Sequence, residues 1–204
     1  VPDATYLLSD SRWFVVRNMI LLLRGVGDRS SLAQLRRCAE HPDLRVRLEA
    51  IKSLFVFDPE VPAELLRRAI HDRDPKMAEA AVMLAGTCGI HQAVAPLVDV
   101  LRRRDLFGRR RSLRLKALRA LAKLGDPAAL PRLEHFFVLR FLAPVAPDER
   151  RAAYASLRHY PEPARRPWVE RGRRSRDPQI RETCERLARG QLDAALEETH
   201  VGPL

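Results

Sequence analysis

One pattern recurs along the 204-residue chain and limits the folds open to it: an aspartate or arginine, a few polar residues, then a long amphipathic segment. The copies begin at Asp10, Asp43, Asp74, Arg110, Asp148 and Asp177, so successive starts lie 33, 31, 36, 38 and 29 residues apart. A period of this length suits one pair of helices per repeat. Stacked pairs share a continuous core that no single pair supplies by itself.

Each start has a local physical reason. An aspartate ahead of a helix accepts hydrogen bonds from the orphan N–H groups of the first turn, and its charge favours the positive helix end. Pro75 and Pro178 directly follow their aspartates, at the first helical position, where a missing N–H is harmless. Gly25, Gly27, Gly89, Gly125 and Gly190 fall where the segments are expected to stop. Between them, apolar residues recur at three- and four-residue spacing, as in Val46, Ala50, Ile51 and Leu54, or Leu113, Ala117, Leu118, Leu121 and Leu124. Shorter amphipathic helices are expected over 30–40, 62–71, 92–104, 128–140 and 164–174. No alternating stretch is long enough to compete as a strand. The expected fold is therefore all-α: an α-solenoid of stacked antiparallel helix pairs, about five and a half repeats long. One domain is expected over 1–189, beginning with a half-repeat whose opening residues are Val1–Ser9 and which an earlier part of a longer protein would complete. An acidic tail or cap, with Asp193, Glu197 and Glu198, is expected over 190–204.

The phrase Asp-x-x-Val-Arg-x-x-Ala-x-x-x-Leu, running on to Gly-Asp and a helix of small residues, resembles the HEAT repeat, in particular the short bacterial HEAT repeats first noted in phycobilin lyases. Asp43, Val46, Arg47, Ala50 and Leu54 carry the resemblance best, followed by Arg114, Ala117, Leu121, Gly125 and Asp126. Ala78 and Ala152 stand where the pattern has arginine. The resemblance implies that Asp43 with Arg47 and Asp177 with Arg181, joined by Arg17 and Arg114, build a ladder of polar contacts between adjacent repeats. It also implies that the helices after the aspartates line a concave face. There Glu49, Lys52, Lys116, Arg119 and Lys123 are the first solvent-directed candidates for contact with a partner.

Charge divides the chain unevenly. Residues 1–100 hold 13 Lys+Arg against 13 Asp+Glu, whereas residues 101–204 hold 24 against 13, so the whole excess of +11 lies in the second half. Two arginine clusters stand out. Arg102, Arg103 and Arg104 end one expected helix and Arg109, Arg110 and Arg111 begin the next, around a turn containing Phe107. A second group comprises Arg165, Arg166, Arg171, Arg173, Arg174 and Arg176. Such clusters attract phosphate or acidic protein surfaces.

Other chemistry has little support. Cys38, Cys88 and Cys184 are isolated among apolar residues with no paired spacing, and read as small buried hydrophobes of a cytoplasmic, bacterial protein. The six histidines show no ligand spacing, so no metal or other cofactor is expected. The cluster His71-Asp72-Arg73-Asp74 reads as a capped turn. No nucleophile elbow, phosphate loop or dinucleotide fingerprint occurs, and no catalytic residue is assigned. No stretch approaches the roughly 20 apolar residues of a membrane span. The run Phe136, Phe137, Val138, Leu139, Phe141 and Leu142 is expected to be buried between repeats. The function expected is a non-catalytic scaffold that binds another protein, one with an acidic surface, through its curved helical surface. The alternative is a nucleic-acid-binding module using the basic half. By resemblance to alkylpurine DNA glycosylases of HEAT-like build, a catalytic version of that alternative requires an aromatic and an acid converging in one basic groove.

Overall fold

The computed structural model describes residues 4–27, 29–57, 62–103, 105, 108–138 and 145–191. The described residues contain helices and turns and no strand. They fall into two compact units, 1–88 and 89–204.

The first unit opens with a 3-10 helix, Ala4–Ser9, packed against α1 (Trp13–Val26). Two helix pairs follow: α2 (Leu32–Cys38) with α3 (Leu44–Phe57), and α4 (Pro62–Ile70) with α5 (Pro75–Thr87). The longer helices α1, α3 and α5 lie side by side in that order. Their inward stripes form the core, with Val16, Ile20 and Leu23 of α1 meeting Val46, Ala50 and Leu54 of α3, all essentially inaccessible to water. Small residues on α5, Ala78, Ala81 and Ala85, are buried in the same way and permit close helix approach.

The second unit repeats the scheme. Helix α6 (Val94–Arg102) pairs with α7 (Arg111–Leu124), and α10 (Glu162–Arg173) pairs with α11 (Pro178–Ala188). Between them, a 3-10 helix over Pro127–Leu133 packs with α6 and α10, and the short α8 (Glu134–Phe137) packs with α9 (Pro147–Ser156). The longer helices again neighbour one another, α7 on α9 and α9 on α11. Each unit is thus a stack of antiparallel helix pairs, and the chain is an all-α solenoid by class.

The expected helix over 128–140 is instead mostly 3-10, because Pro131 sits inside it without an N–H to continue an α-helical ladder. The aspartates also act in more than one way. Asp74, Asp126 and Asp177 are N-caps whose carboxylates accept first-turn N–H groups. Asp10 lies two residues ahead of Arg12, the residue at the N-cap of α1, and accepts the Arg12 N–H. Asp148 lies inside the first turn of α9, behind Ala146 and Pro147. Helices α1 and α7 stop at Gly27 and Gly125, with φ of +74° and +61°, the left-handed backbone that glycine adopts without strain. Cys38 and Cys184 are buried, but Cys88 is exposed, because it closes α5 at the edge of a turn. Phe136 and Phe137 are fully buried and Val138 half-buried; the remainder of that apolar run lies outside the described residues. So do most of the expected acidic tail, from residue 192 onward, Phe107, and the first three residues of the half-repeat.

Candidate functional site

Many charged side chains are already engaged in joining neighbouring repeats. In the first unit, Glu49 of α3 takes the Arg24 guanidinium of α1 at 2.6 Å, with Arg17 at 3.8 Å. In the second, Arg111 of α7 forks onto Asp148 of α9 at 2.6 Å, and Arg151 of α9 reaches Asp177 at the start of α11 at 2.8 Å. Beside the first of these, Arg114 of α7 is buried. It donates two hydrogen bonds to Glu149 and two more to the carbonyls of Leu101 and Arg103.

These contacts correct the partners expected from sequence. Asp43 pairs with Arg45 of its own turn, not with Arg47, whose Nε is buried without a hydrogen bond. Arg181 turns back to the Ser175 carbonyl and leaves Asp177 to Arg151. The acid of each cross-repeat pair comes from the later helix and the arginine from the earlier one.

Glu49 is accordingly no contact residue facing solvent: it is 9% exposed and held by two arginines. Lys52 is half-buried on α3. Lys116, Arg119 and Lys123 lie along one side of α7, where Lys116 is half-buried with a partner of its own and the other two are exposed. In the first arginine cluster, Arg102, Arg103, Arg109 and Arg110 are exposed, while Arg111 is tied to Asp148; Arg104 lies outside the described residues. In the second cluster Arg165 is only 6% exposed and donates to the Arg158 carbonyl, so it is part of the core and not a surface for phosphate. Arg166 is exposed, Arg173 leans on Glu170 at 3.3 Å, and Arg174 is open to solvent.

The remaining arginines converge. Helical periodicity places Pro167, Arg171 and Arg174 on one stripe of α10, at i, i+4 and i+7. That stripe faces Arg150 and Tyr154, an i, i+4 pair on α9, across a groove of about 940 Å³. A tight turn closes its end. The Ser175 N–H bonds to the Gly172 carbonyl, the Ser175 hydroxyl accepts the Asp177 N–H, and Arg174 and Arg176 are exposed on either side of Ser175. The groove thus holds Arg150, Arg171, Arg174 and Arg176 above walls that include Val145, Pro147 and Pro167.

Its floor is rigid. Phe137 is stacked between elements, 4.9 Å from the Trp168 ring and 5.1 Å edge-on to Tyr154, whose hydroxyl donates to the Phe137 carbonyl. Burial pushes the Tyr154 phenol up from its ordinary value, so it stays protonated as that donor. Beneath, Gly172 is buried where a Cβ would meet Cys184 and Tyr154, so only glycine permits α10, α9 and α11 to close this tightly.

The groove carries four arginines against two carboxylates, Glu170 and Asp177, and both acids are taken elsewhere. Glu170 leans on Arg173. Burial pushes the Asp177 pKa up, but the hydrogen bond from Arg151 and the N–H groups of Ile180 and Gln179 outweigh it, and the carboxyl titrates below its usual range. Among the described residues no carboxylate pairs with Arg171, Arg174 or Arg176, while Arg150 is hydrogen-bonded to Tyr154 and keeps its Nε buried without a hydrogen bond. The result is a concave, net-positive site with apolar walls. Arg171, Arg174 and Arg176 belong to the second arginine cluster of the sequence, whereas Arg150 and the aromatic floor lie on other helices and only the fold brings them to it.

Among the described residues no group of His, Cys, Asp or Glu could hold a metal, and no helix is long and apolar enough to cross a membrane. The family model for HEAT repeats matches residues 1–72, and that for the PBS lyase HEAT-like repeat matches residues 113–138. No curated protein matches the chain in sequence. Among solved structures, the chain is similar to the crystal structure of an engineered protein from the Northeast Structural Genomics Consortium. The two share 16% identity and a TM-score of 0.53, over 93% of this chain and 95% of that one. A second engineered protein from the same consortium shows 17% identity and a TM-score of 0.49, over 89% of this chain and 55% of that one.

Proposed function

We propose, from the premise that this chain is a HEAT-repeat protein, that it is a non-catalytic scaffold whose second unit binds an acidic partner protein. One observation carries the reading: Arg150, Arg171, Arg174 and Arg176 meet in a single groove, and the adjacent carboxylates are already engaged. Guanidinium groups around a concavity recognise carboxylates in forked geometry, with specificity that a lysine-rich surface lacks. A cytoplasmic setting fits three unpaired cysteines.

The nucleic-acid alternative draws on the same charge. It fits less well, because the groove's aromatic rings, Phe137 and Tyr154, are sealed at 0% and 1% exposure and offer no face for a base. A glycosylase-like version needs a carboxylate free to act on a base, and Asp177 caps α11 and binds Arg151 instead.

Parallel fluorescence-anisotropy titrations against an acidic polypeptide, duplex DNA and single-stranded DNA, each across a salt series, separate these readings. The scaffold reading predicts that the polypeptide binds and that the double variant Arg171→Glu/Arg174→Glu abolishes binding. Tight DNA binding with a log–log salt slope of about −5 or steeper, together with no polypeptide binding, would overturn it.

A further inference from the structure

We infer that the groove's occupant is a short peptide segment of the partner in which one apolar side chain is flanked by carboxylates; this rests on the acidic-partner reading above. Arginine alone would suit any anion, but Val145, Pro147 and Pro167 add apolar surface to the same groove that Arg150, Arg171 and Arg174 line. Pro167 lies inside α10 and has no N–H, so its ring adds an apolar face and no donor to the wall. A purely charged ligand leaves that surface in water. A ligand with an apolar anchor covers it and gains the transfer free energy of the buried area.

Size and shape point the same way. A groove of about 940 Å³ lies at the upper end of the range of small-ligand sites, enough for a few side chains of a peptide. The supporting aromatics and the close Gly172 contact fill the space beneath the floor, which lowers the cost of ordering it around an anchor. Carboxylates on both flanks of the anchor then reach Arg150 across the groove, and Arg174 and Arg176 beside Ser175. A continuous phosphate backbone is the poorer match, because a sugar–phosphate chain has no apolar side chain to bury against the prolines.

The test uses the full chain and two short fluorescein-labelled peptides, each with paired glutamates around a central residue, leucine in one and serine in the other. Binding is read by anisotropy, and circular dichroism checks that each variant is folded. The leucine peptide is expected to bind about tenfold or more tightly than the serine peptide. Val145→Ser is expected to remove most of that difference while leaving the serine peptide unaffected. Arg174→Glu/Arg176→Glu is expected to weaken both. Equal binding of the two peptides, still sensitive to the arginine variants, would overturn the anchor and leave the acidic-partner reading standing. Binding of neither peptide, or binding that the arginine variants do not touch, would overturn both. Displacement of the leucine peptide by single-stranded DNA at stoichiometric concentration would assign the groove to nucleic acid and overturn the proposal.

Discussion

At Arg114 four hydrogen bonds meet on one buried guanidinium, linking α7 to Glu149 of α9 and to the carbonyls that end α6. Removing one member of a buried pair strands the other without solvent, a loss of about 3–5 kcal/mol. Arg114→Met is therefore expected to lower the unfolding free energy read from urea denaturation by an amount of that order, and Arg114→Met/Glu149→Leu to recover much of it. A double variant no more stable than the single would contradict the account. Gly172→Ala is expected to destabilise by about 1–3 kcal/mol, since its Cβ would come within 2.6 Å of the Tyr154 ring and press on Cys184. The cysteines give a third check. Burial raises the Cys38 thiol and pushes Cys184 up to about 12, whereas Cys88 is exposed, so a thiol reagent is expected to titrate Cys88 quickly and the other two only on unfolding.

The elements are held in register by arginine–carboxylate pairs across repeats, and these respond to pH in a defined direction. The Arg111 hydrogen bond holds Asp148 below the usual carboxylate range, and Arg151 with the helix N–H groups does so for Asp177 against the effect of burial. A carboxyl with a lowered folded-state pKa contributes its stability above the unfolded value and loses it as pH falls through the folded value. Asp148→Asn and Asp177→Asn are thus expected to lower stability at neutral pH, with the gap from wild type closing below about pH 4. A gap that persists into strong acid would show that the substitutions act through packing. Much of this level was legible beforehand: the aspartates, prolines and glycines marked helix ends because those residues act on the nearest turn. The cross-repeat partners were not legible. Asp177 lies four residues from Arg181 in sequence, yet its partner is Arg151 on another helix, and only the packing of α9 on α11 decides that. Glu49 misled for the same reason, because the flank of α3 it occupies is covered by arginines of α1.

Across the whole molecule, charge and architecture divide differently. Both units are stacks of helix pairs, yet 1–88 carries 13 Lys+Arg against 12 Asp+Glu and 89–204 carries 24 against 14. The excess was plain in the sequence, but its focus was not: the runs of adjacent arginines drew attention first, and part of them is engaged in the core or in ion pairs, as Arg165 and Arg111 are. The arginines that converge come from α9, α10 and the turn before α11: Arg171, Arg174 and Arg176 are grouped in the sequence, and the fold adds Arg150 to them. The claim that this groove is the binding site is tested most directly by hydrogen–deuterium exchange with and without the leucine-centred acidic peptide. The account predicts slowed exchange concentrated at the end of α10, the Ser175 turn and the first turn of α11, with α7 and the whole first unit unchanged. Slowing along the Lys116–Lys123 side of α7 or in the first unit, with none around Ser175, would contradict it.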